Sequence, residues 1–450
     1  MKMNFGIFAC ISATALLGLT SCSSLPIPGF GGGKSGASAA EKEGRINLAI
    51  GDQPLEADPA FVDTAVILPE PRILEAWPQS GAGASKVIGH VSAAPALEVE
   101  WRVRAADGSD RSAALTAAPV SDGSNIFIID GEQRVKSFSV ETGAQNWSIK
   151  LDSGSRRDKR GLGGGVAIVG TALIVSSGFG FVAALDASDG SEKWRRSLGS
   201  PVTGAPTIKD DRAFVITQNN EIFALDAQTG SVLWTDQAIA ESARVLSSPS
   251  VAAVEDLVVA PFSSGEVIAF LGANGRRLWN DALNRTGRFT PISSINDIAS
   301  RPILTQGLVF AATQSGLLAA IDGRTGSRIW DQTIGSVHAP AIVGEYVFIA
   351  GVEGQIACIA ATNGAVIWAT QLPRFKNERK EKGRLSYAGP LVASNRVLVI
   401  SSEGALLSLS PQTGEQLANV DLKDKVFLEP IVVGHRIIVL TDEGRLIAIR

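Results

Sequence analysis

The chain has few cysteines, few histidines and little charge. Its 450 residues include three Cys and three His, and 19% of them are charged. Three cysteines do not make the paired framework of a disulfide-rich fold. The histidines, His90, His338 and His435, show no mutual spacing typical of a metal site or of a nucleophile's base. The formal net charge of −4 gives no general affinity for nucleic acid or for an anionic membrane surface.

Glycine and apolar side chains are abundant instead. The chain contains 47 Gly, and 45% of its residues are hydrophobic. This composition is typical of a packed, turn-rich β protein and not of a disordered chain. A length of 450 residues allows several average domains or one large repeat fold, so the regularity of the sequence must decide between them.

The first residues have the pattern of a secretory signal. Lys2 precedes an apolar run over residues 5–19, which is too short to span a membrane comfortably. The ending Leu-Thr-Ser-Cys at residues 19–22 resembles a bacterial lipobox. This resemblance implies that residues 1–21 are a signal peptide, that Cys22 is diacylated on its sulfur, and that several acyl chains anchor the protein stably. An ordinary secretory signal with an incidental cysteine is the alternative.

Two further segments precede the regular part of the chain. Residues 22–44 combine the expected lipid site with a stretch rich in Ser, Gly, Ala and Pro, which predicts a flexible tether. Residues 45–96 form an N-terminal extension whose pattern, including Trp77 and His90, suggests no mechanism. The repeat begins at residue 97 and continues to residue 450.

From residue 97 onward the sequence repeats itself eight times. An apolar anchor residue, five places before a turn glycine in all but the last copy, recurs every 38 to 51 residues. Short, partly β-branched apolar runs between the turns predict four strands per copy, without helical periodicity. Such units favour the blades of a β-propeller over a sandwich or a parallel-sheet solenoid. The anchors are Phe138, Leu185, Leu225, Phe270, Ile321, Ile359, Leu409 and Ile449.

Three columns keep the phase of this repeat. A glycine closes one turn, where Gly adopts a positive φ without strain. A Trp four residues later is expected to cover the space between neighbouring sheets. A proline marks the start of the first strand in every copy but the second, where Val166 replaces it; proline is tolerated at this position. The columns contain Gly143, Gly190, Gly230, Gly275, Gly326, Gly364 and Gly414; Trp147, Trp194, Trp234, Trp279, Trp330 and Trp368; and Pro119, Pro206, Pro249, Pro302, Pro340, Pro390 and Pro430.

The two ends of the repeat complete each other. Residues 444–450 supply an anchor strand without an outer Trp strand, whereas residues 97–104, which include Trp101, supply a Trp strand without an anchor. Pairing these segments closes the ring and removes two exposed sheet edges. The sequence therefore predicts an all-β fold: an eight-bladed β-propeller of four-stranded antiparallel blades over residues 97–450, closed by its N-terminal and C-terminal strands.

The pattern Ala-Leu-Asp-x-x-x-Gly-x-x-x-Trp at residues 224–234 resembles the quinoprotein-type propeller repeat. Together with the lipobox, residues 295–302, 330–336 and 443–450 resemble the propeller lipoproteins of outer-membrane β-barrel assembly. This resemblance implies a non-catalytic scaffold without cofactor or metal, lipid-anchored at the periplasmic face of the outer membrane. The implied partner is the periplasmic part of the central barrel-assembly protein, with neither nucleic acid nor a small-molecule substrate.

The same resemblance implies a site of partner binding. Family contacts involve an Arg in the loop before one blade and acidic residues in the loop before the next. Arg244 precedes Pro249 by five residues and Asp297 precedes Pro302 by five, so the resemblance assigns partner binding to Arg244 and Asp297. Three nearby positions depart from the family pattern, namely Glu241, Ala243 and Ala299.

A periplasmic oxidoreductase of the quinoprotein (PQQ) type is the main alternative, because such enzymes share the repeat; a generic periplasmic binding module is another. The enzymes resemble one another in an adjacent cysteine pair and often a Cys-x-x-Cys-His haem site, and this chain has neither. Cys358 occupies a column of small residues and is predicted to be a core residue. Two basic clusters, residues 156–160 and 376–384, are either solvated loops or sites for anionic partners.

Overall fold

The computed structural model of the chain describes residues 54–61, 64–110, 113–154, 160–239, 247–283 and 297–450. The regular secondary structure in these ranges is almost entirely β, with 34 strands and one short 3₁₀ turn. The strands form eight four-stranded antiparallel sheets and one two-stranded hairpin. None of the described residues belongs to a helix long and apolar enough to cross a membrane.

The sheets follow one another along the chain as blades 1 to 8, after an initial strand β1 (Val99–Arg104). Blades 1 to 4 are β2–β5 (Val120–Ser121, Asn125–Ile129, Arg134–Ser139, Gln145–Lys150), β6–β9 (Gly164–Val169, Ala172–Ser177, Phe181–Asp186, Glu192–Ser197), β10–β13 (Thr207–Lys209, Arg212–Ile216, Glu221–Asp226, Val232–Gln237) and β14–β17 (Ala252–Val254, Leu257–Pro261, Glu266–Leu271, Arg277–Ala282). Blades 5 and 6 are β18–β21 (Ile303–Thr305, Leu308–Ala312, Leu318–Asp322, Arg328–Gln332) and β22–β25 (Ala341–Val343, Tyr346–Ala350, Gln355–Ala360, Val366–Gln371).

A hairpin separates blades 6 and 7; it consists of β26 (Phe375–Asn377), the 3₁₀ turn Glu378–Lys380 and β27 (Lys382–Arg384). Blade 7 is β28–β31 (Tyr387–Ala393, Arg396–Ser401, Ala405–Leu409, Gln416–Asp421). Blade 8 combines β32–β34 (Ile431–Val433, Arg436–Leu440, Arg445–Ile449) with β1.

The predicted closure of the ring by its two ends is confirmed. Strand β1 pairs antiparallel with β34, and Trp101 lies opposite Ala448. Just outside the strands, the backbone N–H of Glu98 donates to the carbonyl of Arg450 at 2.8 Å, and the N–H of Arg450 donates to Glu98 at 2.7 Å. The first and last strands of the propeller therefore lie in one sheet, as the incomplete copies at the two ends of the repeat predict.

The middle strands of each blade are buried because neighbouring blades pack on both of their faces. In blade 5, β19 and β20 are buried at all but one residue each, whereas the outer strand β21 is mostly exposed. One apolar cluster joins Phe310 and Ala320 of blade 5 to Val347 and Ile359 of blade 6. Burial between blades explains why these strands read as continuous apolar runs instead of alternating with polar residues.

The Trp column connects neighbouring blades, as predicted, and does so by hydrogen bonding as well as by packing. Each indole Nε1 of the set below donates to a backbone carbonyl of the next blade, at 2.8 to 3.2 Å. Each Trp therefore buries a large apolar surface while its polar atom stays satisfied. The pairs are Trp101–Val140, Trp147–Ala187, Trp234–Gly272, Trp279–Gly323, Trp330–Ala361 and Trp368–Pro411.

The glycine column has the positive φ that the turns require, from +69° at Gly230 to +77° at Gly190. Close packing is a second reason for glycine at these positions. A Cβ at Gly230 would lie 2.5 Å from the ring of Trp194, and one at Gly275 would lie 2.6 Å from Trp234. The Trp of one blade thus occupies the space that a side chain in the next blade's turn would need.

The proline column marks the first strand of most blades. Proline directly precedes that strand at Pro119, Pro206, Pro302, Pro340 and Pro430. The expectation is wrong in blade 7, where Pro390 lies inside β28, and Pro249 precedes β14 by three residues. Strand β28 has a register shift between Ala388 and Leu391, and such an irregularity accommodates a residue without an N–H.

The N-terminal extension makes contacts that the sequence did not reveal. Residues 65–94 cross the face formed by the turns between the first and second strands, here called the extension face. Hydrogen bonds join them to all eight blades, so this segment ties the ring together across one end of its axis. The pairs, from blade 1 to blade 8, are Trp77–Ser121, Pro78–Ile168, Gln79–Ile208, Ala84–Ala253, Ser85–Leu304, Ala65–Tyr346, Val91–Val392 and Ala94–His435.

Candidate functional site

The opposite face of the propeller, here called the loop face, carries the connections from each outer strand to the first strand of the next blade. Of the two residues assigned to partner binding, Asp297 belongs to such a connection, between β17 and β18. Arg244 falls in the sequence between β13 and β14. Arg244 lies outside the described residues, as does Cys22. The assignments of partner binding to Arg244 and of lipidation to Cys22 therefore stay predictions.

Asp297 is among the described residues and is only 4% exposed. Its backbone carbonyl accepts a hydrogen bond from the N–H of Gln314 at 3.2 Å. It lines a groove on the loop face, with a volume of about 170 Å³, together with Asn220, Pro249 and Ser263. A buried acid in a groove wall differs from a freely exposed surface charge, because changing its size or charge also disturbs the packing of the loop.

A second cavity of about 180 Å³ lies on the propeller axis. All eight blades contribute residues to this cavity. These residues lie at the start of each first strand or in the connection that precedes it, and Ser80 of the extension also lines the cavity. Because the extension crosses the other face, the channel opens toward the loop face. Its lining from blade 1 to blade 8 includes Val120, Val166, Ala205, Ser248, Arg301, His338, Ser386 and Glu429.

The charged groups of the channel form one connected cluster. An Nη1 of Arg301 lies 2.6 Å from Oε2 of Glu429, and Nδ1 of His338 lies 3.5 Å from its Oε1. The backbone N–H of Ala339 also donates to Oε1, at 3.1 Å. Burial raises the pKa of Glu429, but the charge of Arg301 and the interactions with His338 outweigh it and lower the pKa to about 2. Glu429 is therefore ionised at neutral pH.

Lys86 of the extension lies behind this cluster and is fully buried. Its Nζ donates to the carbonyl of Ser80 at 2.9 Å. Burial, and then the nearby charge of Arg301, lower the pKa of Lys86 well below its ordinary value. The extension therefore places a buried amine, whose protonation is disfavoured, beside Ser80 and near Arg301.

The channel cluster was missed at the level of sequence, although a signal for it exists. Arg301 and Glu429 each directly precede the proline that opens a first strand, at Pro302 and Pro430. First strands surround the axis in a propeller, so charged residues in this column of the repeat point to the channel. Nothing comparable in the sequence indicates Lys86, because its position depends on the path of the extension.

Cys358 and His90 have structural surroundings. Cys358 is free and completely buried, and this burial raises the pKa of its thiol. Nδ1 of His90 lies 2.6 Å from the carbonyl of Pro69, and its Nε2 accepts from the N–H of Asn395 at 2.9 Å. Among the described residues, no group of three or more His, Cys, Asp or Glu has a geometry suited to a metal ion.

These features define a class of protein, a β-propeller of eight quinoprotein-type blades with one face crossed by its own extension. BamB from Moraxella catarrhalis has this fold at a TM-score of 0.61 and 18% sequence identity, covering 79% of this chain and 97% of that chain. Quinohemoprotein alcohol dehydrogenase from Comamonas testosteroni is similar at a TM-score of 0.63 and 13% identity, covering 84% and 81%. At these identities the likeness shows the fold alone.

Sequence comparison then identifies the family. The family described as "Outer membrane protein assembly factor BamB" matches residues 131–370 and 352–450, and the chain belongs to this family. The outer membrane protein assembly factor BamB of Yersinia pestis is 26% identical over 316 residues, which cover 69% of this chain and 78% of the relative. That of Salmonella typhimurium is 23% identical over 313 residues, covering 69% and 78%. The resemblance noted in the sequence is confirmed.

Proposed function

We propose that the chain is a lipid-anchored, non-catalytic scaffold of the outer-membrane β-barrel assembly machinery. Its loop face binds the periplasmic part of the central assembly protein and so assists the insertion of outer-membrane proteins. The observation that carries this proposal is the family match, which spans residues 131–370 and 352–450 of the propeller. The relatives from Yersinia pestis and Salmonella typhimurium bear names that refer to the assembly of outer membrane proteins.

The structure supports the loop face as the binding surface. The extension crosses the other face and uses hydrogen bonds to all eight blades to do so. The loop face instead carries the groove beside Asp297 and the mouth of the channel. Loops of this kind on a rigid frame are the usual place for partner contacts.

An oxidoreductase is the second candidate, because the dehydrogenase from Comamonas testosteroni shares the fold. A quinone cofactor on the axis is not favoured by the residues present. The channel cavity of about 180 Å³ is smaller than the roughly 300 Å³ at which cofactor pockets usually begin. Ser80 lines it from the extension, and Arg301 and Glu429 already neutralise each other inside it.

A pull-down of the membrane-extracted protein, followed by mass spectrometry, distinguishes these functions. We expect recovery of a barrel-assembly protein. A quinone or haem absorbance in the purified protein would instead favour the oxidoreductase. Attachment is tested separately: Cys22→Ser should abolish metabolic acyl labelling and release a soluble protein, whereas Cys358→Ser, the control, should be labelled normally. Full labelling of the Cys22→Ser protein contradicts the lipid anchor.

Binding measurements with the purified partner test the assigned contact. Arg244→Glu should weaken binding by roughly 1–3 kcal/mol, the scale of a desolvated interface charge. Asp297→Asn is the matching change for the acid, because Asp297 is 4% exposed and a larger residue would disturb its loop. Arg276→Glu, in an exposed turn at the other end of the blades, is the control. Unchanged affinity in the combined Arg244→Glu and Asp297→Asn protein would refute the contact.

A further inference from the structure

The connection between blades 6 and 7 carries a strongly basic hairpin on the loop face. Residues 374–384, here called the basic hairpin, contain six basic and two acidic side chains, whereas the whole chain has a net charge of −4. Strands β26 and β27 pair through Phe375 with Arg384 and Asn377 with Lys382. This positive charge is therefore carried by a paired hairpin with a defined tip.

The charged side chains at the base of the basic hairpin form ion pairs with neighbouring blades. Glu353 of blade 6 pairs with Arg374 at 2.5 Å and with Arg384 at 2.6 Å. Lys376 pairs with Glu403 of blade 7 at 2.5 Å. These ion pairs fix the hairpin to the two blades that flank it.

The tip differs from the base. Arg379, Lys380 and Lys382 are exposed, and none of them has an ion-pair partner within the described parts of the chain. Of the two acids in the hairpin, Glu378 accepts hydrogen bonds from the backbone N–H groups of Arg374 and Phe375, at 2.6 and 3.1 Å. The other, Glu381, is exposed between Lys380 and Lys382, so the tip keeps a net positive charge. The tip thus presents three cations to the surroundings on the loop-face side.

The chain reaches the propeller beside this hairpin. Pro54 lines a cavity of about 160 Å³ together with Glu353 and Arg374. The next residue, Leu55, exchanges two hydrogen bonds with the side chain of Gln355, at 3.0 and 3.3 Å. The start of the described chain is therefore held at the base of the basic hairpin and on the same face.

The covalent chain limits how far the hairpin lies from the lipid site. Cys22 precedes Pro54 by 32 positions. A fully extended chain spans at most about 3.5 Å per residue, so the two residues lie no more than roughly 110 Å apart. A lipid on Cys22 would thus confine the hairpin to a layer of limited depth above the membrane, which raises the effective concentration of headgroups at the hairpin.

We infer that the tip of the basic hairpin docks on the anionic phospholipid surface to which the chain is anchored, and that this contact turns the loop face toward the membrane. The inference rests on the lipid anchor of the proposed function. Lys and Arg side chains are attracted to anionic headgroups within about 10 Å, the Debye length at moderate salt. The anchored chain end favours lipid over an acidic protein as the occupant of this site.

Hydrogen exchange of the full, lipidated protein in nanodiscs tests the inference. The discs contain either phosphatidylcholine alone or phosphatidylcholine with phosphatidylglycerol. We expect amide exchange in residues 375–384 to slow in the anionic discs. It should return to the phosphatidylcholine rate in 0.5 M salt, where the screening length is roughly half of that at 0.1 M. Each neutralised cation should weaken the contact by about fivefold.

Matched charge reversals provide the control. Lys380→Glu with Lys382→Glu should remove the protection in anionic discs. Arg276→Glu with Arg324→Glu changes the net charge equally, in exposed turns at the other end of the blades, and should leave the protection intact. Equal exchange in both kinds of disc overturns the inference. So does protection that arises only when the partner's periplasmic part is added, since the occupant is then a protein.

Failure of the anchor gives a different result. A protein that is not lipidated does not enter discs of either composition, so the lipid anchor fails before any exchange is measured. A lipidated protein that enters both kinds of disc with equal exchange leaves the anchor standing and removes only the docking of the hairpin.

Discussion

The indole Nε1 of Trp279 donates a hydrogen bond to the carbonyl of Gly323 at 2.8 Å, from blade 4 to blade 5. The same ring lies against Gly326, where a Cβ would approach it to 2.7 Å. One side chain therefore joins two blades by a polar and an apolar contact. The repeat of this arrangement explains why Gly and Trp recur together along the chain.

Gly326→Ala should destabilise the protein more than Gly307→Ala. Both glycines have a positive φ, +75° at Gly326 and +77° at Gly307, so the backbone strain is matched. The new methyl group meets Trp279 only at Gly326, since nothing lies within 4 Å at Gly307. We expect an additional loss of about 1–3 kcal/mol, measured by urea denaturation. Equal losses would show that the indole contact contributes nothing.

Deleting residues 97–104 should open the ring. The deletion removes β1, exposes the edge of β34 and uncovers the cluster on which Trp101 and Val103 pack. Deleting residues 23–40 removes none of these contacts and is the control. Melting temperatures measure the effect, and we expect a large decrease only for the first protein. Equal melting temperatures would contradict closure as a source of stability.

The Glu429 cluster should contribute stability that depends on pH. Its pKa is about 2 in the folded protein and 4.5 in the reference state, so the contribution is complete above pH 4.5 and disappears as the pH falls toward 2. Glu429→Gln leaves Arg301 without its partner, and we expect a loss of about 3–5 kcal/mol at pH 7. The difference from wild type should shrink between pH 5 and pH 2, in denaturation measured across that range. Glu345→Gln, at an exposed turn of the extension face, is the control.

Lys86, unlike Glu429, should destabilise the folded protein at neutral pH. Its pKa is well below 10.5 in the folded protein, so the unfolded chain binds the proton more tightly. The free energy of unfolding of the wild type, relative to Lys86→Met, should therefore rise with pH up to 10.5. At pH 7 we expect Lys86→Met to be the more stable protein, by about 1–3 kcal/mol. A difference that is constant from pH 7 to pH 10 would mean that the buried amine keeps its ordinary pKa.

The position of Asp297 within the candidate site could be predicted from the sequence, but its surroundings could not. The spacing to Pro302 puts Asp297 on the loop face, which the structure confirms. That its exposure is only 4% depends on its hydrogen bond from Gln314 and on the walls of the groove. The spacing gives a residue's place within one blade. Burial is set by neighbours from other blades and loops, which lie far away in the sequence.

The sequence by itself determined the number of blades, the four strands of each and the closure of the ring, because every repeat carries the same local turn and strand chemistry. Only the tertiary structure decided the path of the extension, the pairing of Arg301 with Glu429 and the burial of Lys86. Arg301 and Glu429 are 128 positions apart, and the extension meets residues from all eight blades. Each of these contacts occurs once in the propeller and is not repeated from blade to blade. The periodic pattern of the sequence therefore does not predict them.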